Sequence, residues 1–258
     1  MNFEAVADNL RESFRIIAAH RASGEVRELH GVSIASAGVT FQMFNAAFLA
    51  GPVLTEAELG QRILLPGMHF NARGLEWAYW VCEDWIAPRP RRRLRSVMER
   101  MGLRHSVDLP GMIAERIAPP LRKLPCLEVR RVADPATRDA FCAIGSICFH
   151  VPLAWFHEVF DNLGVFRQFA AYVGYVDSEP VSTTALVLGG GAVGVYNVAT
   201  VPQYQRRGFG EAVMRCALDD FRRHHGIEST ILQSTPAGYR IYERMGFRTV
   251  TRVGVYST

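Results

Sequence analysis

Lysine is almost missing: Lys123 stands alone in 258 residues, and arginine supplies the rest of the 29 basic side chains, a bias that reads as coding composition more than chemistry. The scarcity excludes one phosphate chemistry. A nucleotide-hydrolase loop needs a Lys before Ser or Thr, whereas the glycine loop ending at Gly210 runs on into Glu211. Cysteine is thin as well. Five residues, at positions 82, 126, 142, 148 and 216, are an odd number without a C-x-x-C pair, which points to a reduced, cytoplasmic protein with no metal. Long apolar runs are absent: the most apolar stretch, Ala185 to Val195, is too short to span a bilayer and is cut by the glycines at 189–191, so no membrane insertion is expected. Residues 1–20 mix Glu4, Asp8 and Glu12 with Phe3, Val6, Leu10, Phe14 and Ile17 at helical spacing, unlike a signal peptide. Strong charge of one sign is missing too. A net +4 is too mild to imply nucleic acid, though it suits a ligand carrying phosphates.

What is present is organised around residues 194–221. GVYNVATV reads as a strand, PQYQRRGFG as a sharp loop, and EAVMRCALDDF as a helix whose Val213, Met214, Ala217, Leu218 and Phe221 share one face, with Gly226 available past its end. Gly208 and Gly210 let the backbone approach a ligand, and the helix that follows begins with unpaired N–H groups and the positive end of its dipole. That is a seat for an anion, phosphate above all. A dinucleotide-type spacing also occurs at Gly189, Gly191 and Gly194, but it lies between two β-like runs, where a hairpin turn is the better reading.

Gln205-Arg206-Arg207-Gly208-Phe209-Gly210, preceded by a strand running up to Pro202 and followed some thirty residues on by Tyr242-Glu243-Arg244-Met245-Gly246-Phe247, resembles the acetyl-CoA signature of the Gcn5-related N-acetyltransferases (GNAT superfamily). The resemblance covers roughly residues 126–258. It implies that backbone groups of Val198, Ala199 and Thr200 pair with the pantetheine arm of acetyl-CoA, and that amides of Arg206, Arg207, Gly208, Phe209, Gly210 and Glu211 hold its pyrophosphate. It places a further cofactor contact at Thr235, where asparagine is frequent in the family, and an oxyanion-binding amide at Ala199 or close by. The family's proton donor to the leaving sulfur falls on Tyr242, whose bland alternative is packing. A strand glutamate of histone-modifying members would fall at Gly194, and another common carboxylate position near Thr230; neither is filled. His150, Glu158 and Asp161 could reach the site from the preceding helices, or serve as surface and capping residues, and deprotonation through ordered waters needs no single base.

The second half reads as a strand from Leu127 to Val132, a helix capped by Asp134 with Pro135 in its first turn, a helix from about Pro152 to Leu163, two hairpins turning at DSEP and GGG, a short strand Thr230 to Gln233, a helix opened by Thr235 and Pro236, and a closing strand Thr249 to Tyr256. The first half offers an opening helix, strand-like Val32 to Ser36 and Trp77 to Val81, helix-like Phe41 to Ala50 and Glu56 to Leu64, and a helix from Arg91 to Met101 ending at Gly102. Its order is similar to the degenerate half of tandem GNAT members, and LPGM at 109–112 looks like theirs, yet no Q/R-x-x-G-x-G/A string occurs before residue 126. The expectation is therefore a mixed α/β fold: a degenerate GNAT-like domain over 1–122, a proline-marked linker, and an acetyl-CoA-binding GNAT domain over 123–258.

PRPRRRLR at 88–95 invites a nucleic-acid reading, but no aromatic platform accompanies it, and a solvated helix start or a contact to an acidic ligand fits as well. The partners expected are acetyl-CoA and an amine acceptor, with no membrane and no nucleic acid, and a homodimer left open. The function expected is N-acetyl transfer to a small molecule or an exposed peptide amine. A non-catalytic acyl-CoA sensor and a basic interaction module are the alternatives.

Overall fold

Strand-length apolar runs alternate with longer amphipathic stretches twice along this chain, so each half supplies strands for a sheet and helices to pack on it. The computed structural model describes residues 2–258, and its first half runs α1 (Asn2–Ala19), β1 (Glu25–Leu29), β2 (Val32–Ser36), β3 (Asn45–Leu49), α2 (Glu56–Asn71), β4 (Ala78–Cys82), α3 (Pro88–Arg91), α4 (Leu94–Arg100) and β5 (Arg104–Ala114). The second half runs β6 (Glu128–Arg131), α5 (Pro135–Phe149), α6 (Leu153–Val159), β7 (Phe169–Val176), β8 (Glu179–Gly189), β9 (Ala192–Thr200), α7 (Phe209–His225), β10 (Thr230–Gln233), α8 (Pro236–Arg244) and β11 (Arg248–Ser257).

All eleven strands form one sheet in the order β1-β2-β3-β4-β11-β5-β10-β9-β8-β7-β6. The order is nearly palindromic about the β11–β5 pair. β3 lies parallel to β4 and β9 parallel to β10, while every other neighbouring pair is antiparallel. At the centre the two halves exchange their last strands: Gly111–Ala114 of β5 pair with Thr230–Gln233, and Val253–Ser257 of β11 pair with Ala78–Cys82. The parallel extends to the turns before these strands, where Gly102 (φ 84°) precedes buried Leu103 and Gly246 (φ 94°) precedes buried Phe247.

Helix α1 closes the centre of the sheet. Its Val6, Leu10 and Phe14 bury against Ala35, Ala46 and Phe48 of the first half and against Ile231 and Val253 of the second, each large side chain contributing about 1.5–3 kcal/mol. Asn9, fully buried on the same helix, donates from Nδ2 to the carbonyls of Val187, Gly189 and Ala192 at 2.9–3.0 Å and accepts from the Tyr196 hydroxyl at 2.7 Å. A Cβ at Gly194 would come within 1.8 Å of Asn9 Oδ1, so the missing side chain at 194 makes room for this staple.

Most expected elements stand, with shifts. The α7 face is as read from the sequence, Val213, Met214, Ala217, Leu218 and Phe221 all lying buried against β7–β9. The GGG hairpin pairs Gly189 with Ala192 around Gly190 and Gly191, both at positive φ (57° and 73°), as a two-residue primed turn requires. The expected helix over Phe41 to Ala50 is instead a single 3-10 turn, Gln42–Phe44, followed by β3. The reason is burial on both faces: every residue of β3 is buried between its neighbours, so the run carries no alternation and resembles a helix in periodicity. Asn45 pins the turn, accepting from Gly38 N and donating to Val39 O and Glu76 O. The helix expected to Leu163 stops at Val159, and Leu163–Arg167 form a 3-10 segment. The sequence reading also lacked β1 and β5.

The Arg-rich segment folds as the short helix α3 and the start of α4. Arg91 pairs with Asp84 and Arg95 with Glu99.

Candidate active site

Strand β9 leaves its neighbour on one side. It pairs with β10 only through Val193, Gly194 and Val195, while β8 follows it on the other side to Thr200. A bulge at Asn197 (φ 47°) shifts the β8 register and turns the strand end away from β10. Val201 N donates to Val181 O across β8, so strand alternation points the amides of Val198 and Thr200 the other way, onto the unpaired edge. Beyond that edge lies a cavity of about 580 Å³, lined by the end of β9, the loop before α7 and one side of α8.

The loop is held open by its own chemistry. Gln205 Nε2 donates to Thr200 O at 3.0 Å, Arg206 and Gly208 both sit at positive φ (61° and 93°), and no side chain caps α7. Alternating backbone handedness of this kind turns successive N–H groups into one concavity at a helix N-terminus, where the dipole adds to the attraction for an anion. A Cβ on Gly208 would be strained at that φ and would approach Pro125 and Arg122, and one on Gly210 would lie 3.1 Å from Thr200 Oγ1. The charge around the concavity is one-sided. Arg122, Arg206, Arg240 and Arg244 line it, and none of the four has a carboxylate partner among the described residues. Its one carboxylate, Glu211, is engaged by Arg215 at 2.8 Å.

Of the residues singled out from the sequence, Val198, Ala199, Thr200, Arg206, Gly208, Phe209, Gly210, Glu211, Thr235 and Tyr242 all line this cavity. Arg207 does not; its guanidinium lies over the Tyr204 and Phe209 rings at 5.5 and 5.7 Å. Thr235 caps α8, accepting from Gly238 N. Sequence reasoning missed Arg122, Arg240 and Arg244. The last two were legible as an i, i+4 pair flanking Tyr242 on one helix, whereas Arg122 in the linker carried no local signal.

Tyr242 stands where this cavity meets a second one of about 520 Å³, and it shares that junction with Val198 and Thr235. Its ring packs edge-on against Phe247 at 5.8 Å and lies over Gly238, where a Cβ would come within 2.7 Å of Cε2. Its hydroxyl makes no hydrogen bond among the described residues, and burial pushes the phenol up to about 12, so it keeps its proton at neutral pH. The base candidates lie elsewhere. His150 ends α5 in a left-handed conformation, Glu158 accepts from Thr40 N at 3.1 Å, and Asp161 pairs with Arg21 at 2.5 Å; none of them lines either cavity.

Residues 167–249 match the family model described as "Acetyltransferase (GNAT) domain". No curated protein matches this sequence. Among solved structures, a GCN5-related N-acetyltransferase from Kribbella flavida superposes with a TM-score of 0.71 at 17% identity, over 96% of this chain and 93% of that one. A GCN5-related N-acetyltransferase from Sphaerobacter thermophilus gives 0.60 at 15% identity, over 88% and 76%. A tandem GNAT protein from the clavulanic acid biosynthesis pathway gives 0.56 at 11% identity, over 97% and 93%. Likeness at such identities speaks for fold alone. Residues 167–249 thus match a GNAT acetyltransferase domain, and along nearly its whole length the chain shares its fold with a GCN5-related N-acetyltransferase and a tandem GNAT protein.

Proposed function

We propose that the chain is an N-acetyltransferase that moves the acetyl group of acetyl-CoA directly to an amine, with residues 123–258 forming the cofactor seat and residues 1–122 the far wall of the acceptor cleft. One observation carries the reading: an uncapped helix N-terminus in a glycine loop, ringed by four arginines without carboxylate partners among the described residues, fits a ligand with several phosphates at one end. CoA is such a ligand. Its pyrophosphate would lie on the amides of Arg206 to Glu211, with Arg122, Arg240 and Arg244 near its remaining charge, and its pantetheine arm would follow the free edge of β9 toward Tyr242.

The amine attacks the thioester carbonyl as a neutral nucleophile, and charge grows on the carbonyl oxygen. A backbone amide of β9 stabilises it, and the strand alternation favours Val198, within the expected stretch at Ala199 or close by. As the C–S bond breaks, Tyr242 gives its proton to the sulfur and regains one from the nitrogen through water. A thiolate of ordinary pKa near 8.5 is a weaker base than a phenolate near 12, so the transfer depends on the nitrogen's proton returning to Tyr242 in the same step. The products are an N-acetyl amide and free CoA. Among the described residues no carboxylate or histidine stands at the junction, so the amine sheds its proton to water before attack.

The test is release of free thiol from acetyl-CoA in the presence of an amine panel. Amine-dependent release supports the reading; tight acetyl-CoA binding with no release for any amine would leave an acyl-CoA-binding protein instead.

A further inference from the structure

The second cavity has an unusual chemical monotony. Nine of its 22 lining residues are aromatic, and none is Asp, Glu, His, Lys or Arg. Both halves build it: Phe14 of α1, Phe41 beside the 3-10 turn, Trp80 of β4 and Leu109 of β5 face Phe156 of α6 and Tyr196 of β9 across it. Phe14 lies 5.2 Å from Trp80 and 5.3 Å from Phe48, ring centroid to centroid, so the wall on that side is a fixed aromatic cluster. The Ser13 hydroxyl donates to Leu10 O and the Tyr196 hydroxyl to Asn9 Oδ1, while the buried Trp80 Nε1 and Gln233 Nε2 have no hydrogen-bond partner among the described residues, so the wall offers neutral donors and no charge. An ammonium or carboxylate brought into this space would lose its water and find no partner of opposite charge. An apolar ring would gain from burial and from edge contacts with the wall.

From this we infer that the acceptor is a primary amine on an uncharged, apolar body of about one aromatic ring, its ring in the second cavity and its nitrogen at the Tyr242 junction. The inference rests on the acetyltransferase reading and narrows it to a substrate class. Nitrogen attacks the acetyl carbon, the C–N bond forms as the C–S bond breaks, and the nitrogen's proton replaces the one that Tyr242 gives to sulfur. Peptide amines flanked by charged side chains, polyamines and amino acids are disfavoured, each carrying a charge that the cavity cannot pair.

The experiment measures thiol release from acetyl-CoA by the full chain with phenethylamine, with phenylalanine (the same skeleton plus a carboxylate) and with spermidine, alongside calorimetric titration of acetyl-CoA. The kcat/KM for phenethylamine should exceed the other two by at least about tenfold, as the cost of an unpaired charge requires. Val107 is a partly exposed residue of this cavity on β5, and Val107→Asp should narrow the gap between phenethylamine and spermidine at least about threefold by supplying the missing negative charge. Equal rates, a preference for phenylalanine or spermidine, or no turnover of phenethylamine, all with acetyl-CoA still bound, overturn the substrate class and leave the acetyltransferase reading in place. An octanoyl-CoA donor preferred about tenfold over acetyl-CoA would assign the cavity to the acyl chain and overturn it as well. Failure to bind acetyl-CoA would remove the reading beneath it.

Discussion

Helices α2 and α7 hold equivalent places in the two halves, each the crossover between parallel neighbours, β3 to β4 and β9 to β10, and their N-termini end in opposite ways. At α2 the orphan donors are satisfied from within. Thr55 Oγ1 accepts from Glu58 N at 3.1 Å, the Glu58 carboxylate accepts from Leu54 N at 2.8 Å, and Glu58 is paired with Arg62, which also donates to Gly51 O. The bond from Leu54 N, with help from Arg62, holds the Glu58 carboxyl below the usual carboxylate range, so a negative charge already stands where an anion would bind. At α7 the cap is Gly208 in a left-handed conformation with no side-chain cap, and the arginines around it lack carboxylate partners among the described residues. One fold thus yields a closed helix end and an open one, and the difference lies in a few side chains rather than in topology.

The comparison breaks most sharply at Gly208. Gly208→Asp places a strained residue and a carboxylate into the open end, and should weaken acetyl-CoA binding by at least about 100-fold, nearly 3 kcal/mol, with far-UV dichroism unchanged. Wild-type affinity in that variant would show that the loop does not hold the cofactor. The strap that ties both halves together comes next. Asn9→Ala leaves three hairpin carbonyls short of a buried donor and should lower unfolding stability by about 2–3 kcal/mol in urea titration. A change under about 0.5 kcal/mol would reduce Asn9 to an ordinary helix residue.

Chemistry distinguishes the halves at Tyr242. Tyr242→Phe keeps the ring over Gly238 and removes only the hydroxyl proposed to donate the proton, so kcat should fall at least about tenfold while acetyl-CoA affinity stays within about threefold. An unchanged kcat would leave the ring a packing role. The smallest effect belongs to the closed end: Thr55→Ala should cost about 1 kcal/mol of stability, the worth of an N-cap, with no change in acetyl-CoA affinity. A second acetyl-CoA appearing in this variant would mean that one cap is all that keeps α2 shut.

How much of this was legible beforehand differs between the same two regions. Around α7 the strand, loop, helix and following tyrosine segment declare themselves locally, because glycines at special φ and an amphipathic face are properties of neighbouring residues. Around β3 the reading failed, since a strand buried on both faces looks like a helix in period. The exchange of β5 and β11 was not legible at all: no local pattern in Arg104–Ala114 says that it pairs with residues more than a hundred positions away. The same holds for Asn9, a polar residue on an amphipathic helix whose partners lie near residue 190, and for Arg122, which reaches the cavity only because the linker folds back over Gly208. That position 194 is a glycine was plain in the sequence, but the reason no side chain fits there, the Asn9 side chain filling that space, is visible only in three dimensions.

The claim that one helix end is open and its counterpart closed is tested most directly by the stoichiometry of acetyl-CoA binding to the full chain in isothermal calorimetry. The account predicts one site per chain, with an affinity that falls as ionic strength rises, because the arginines meet phosphates. Two sites per chain, or none, would contradict it.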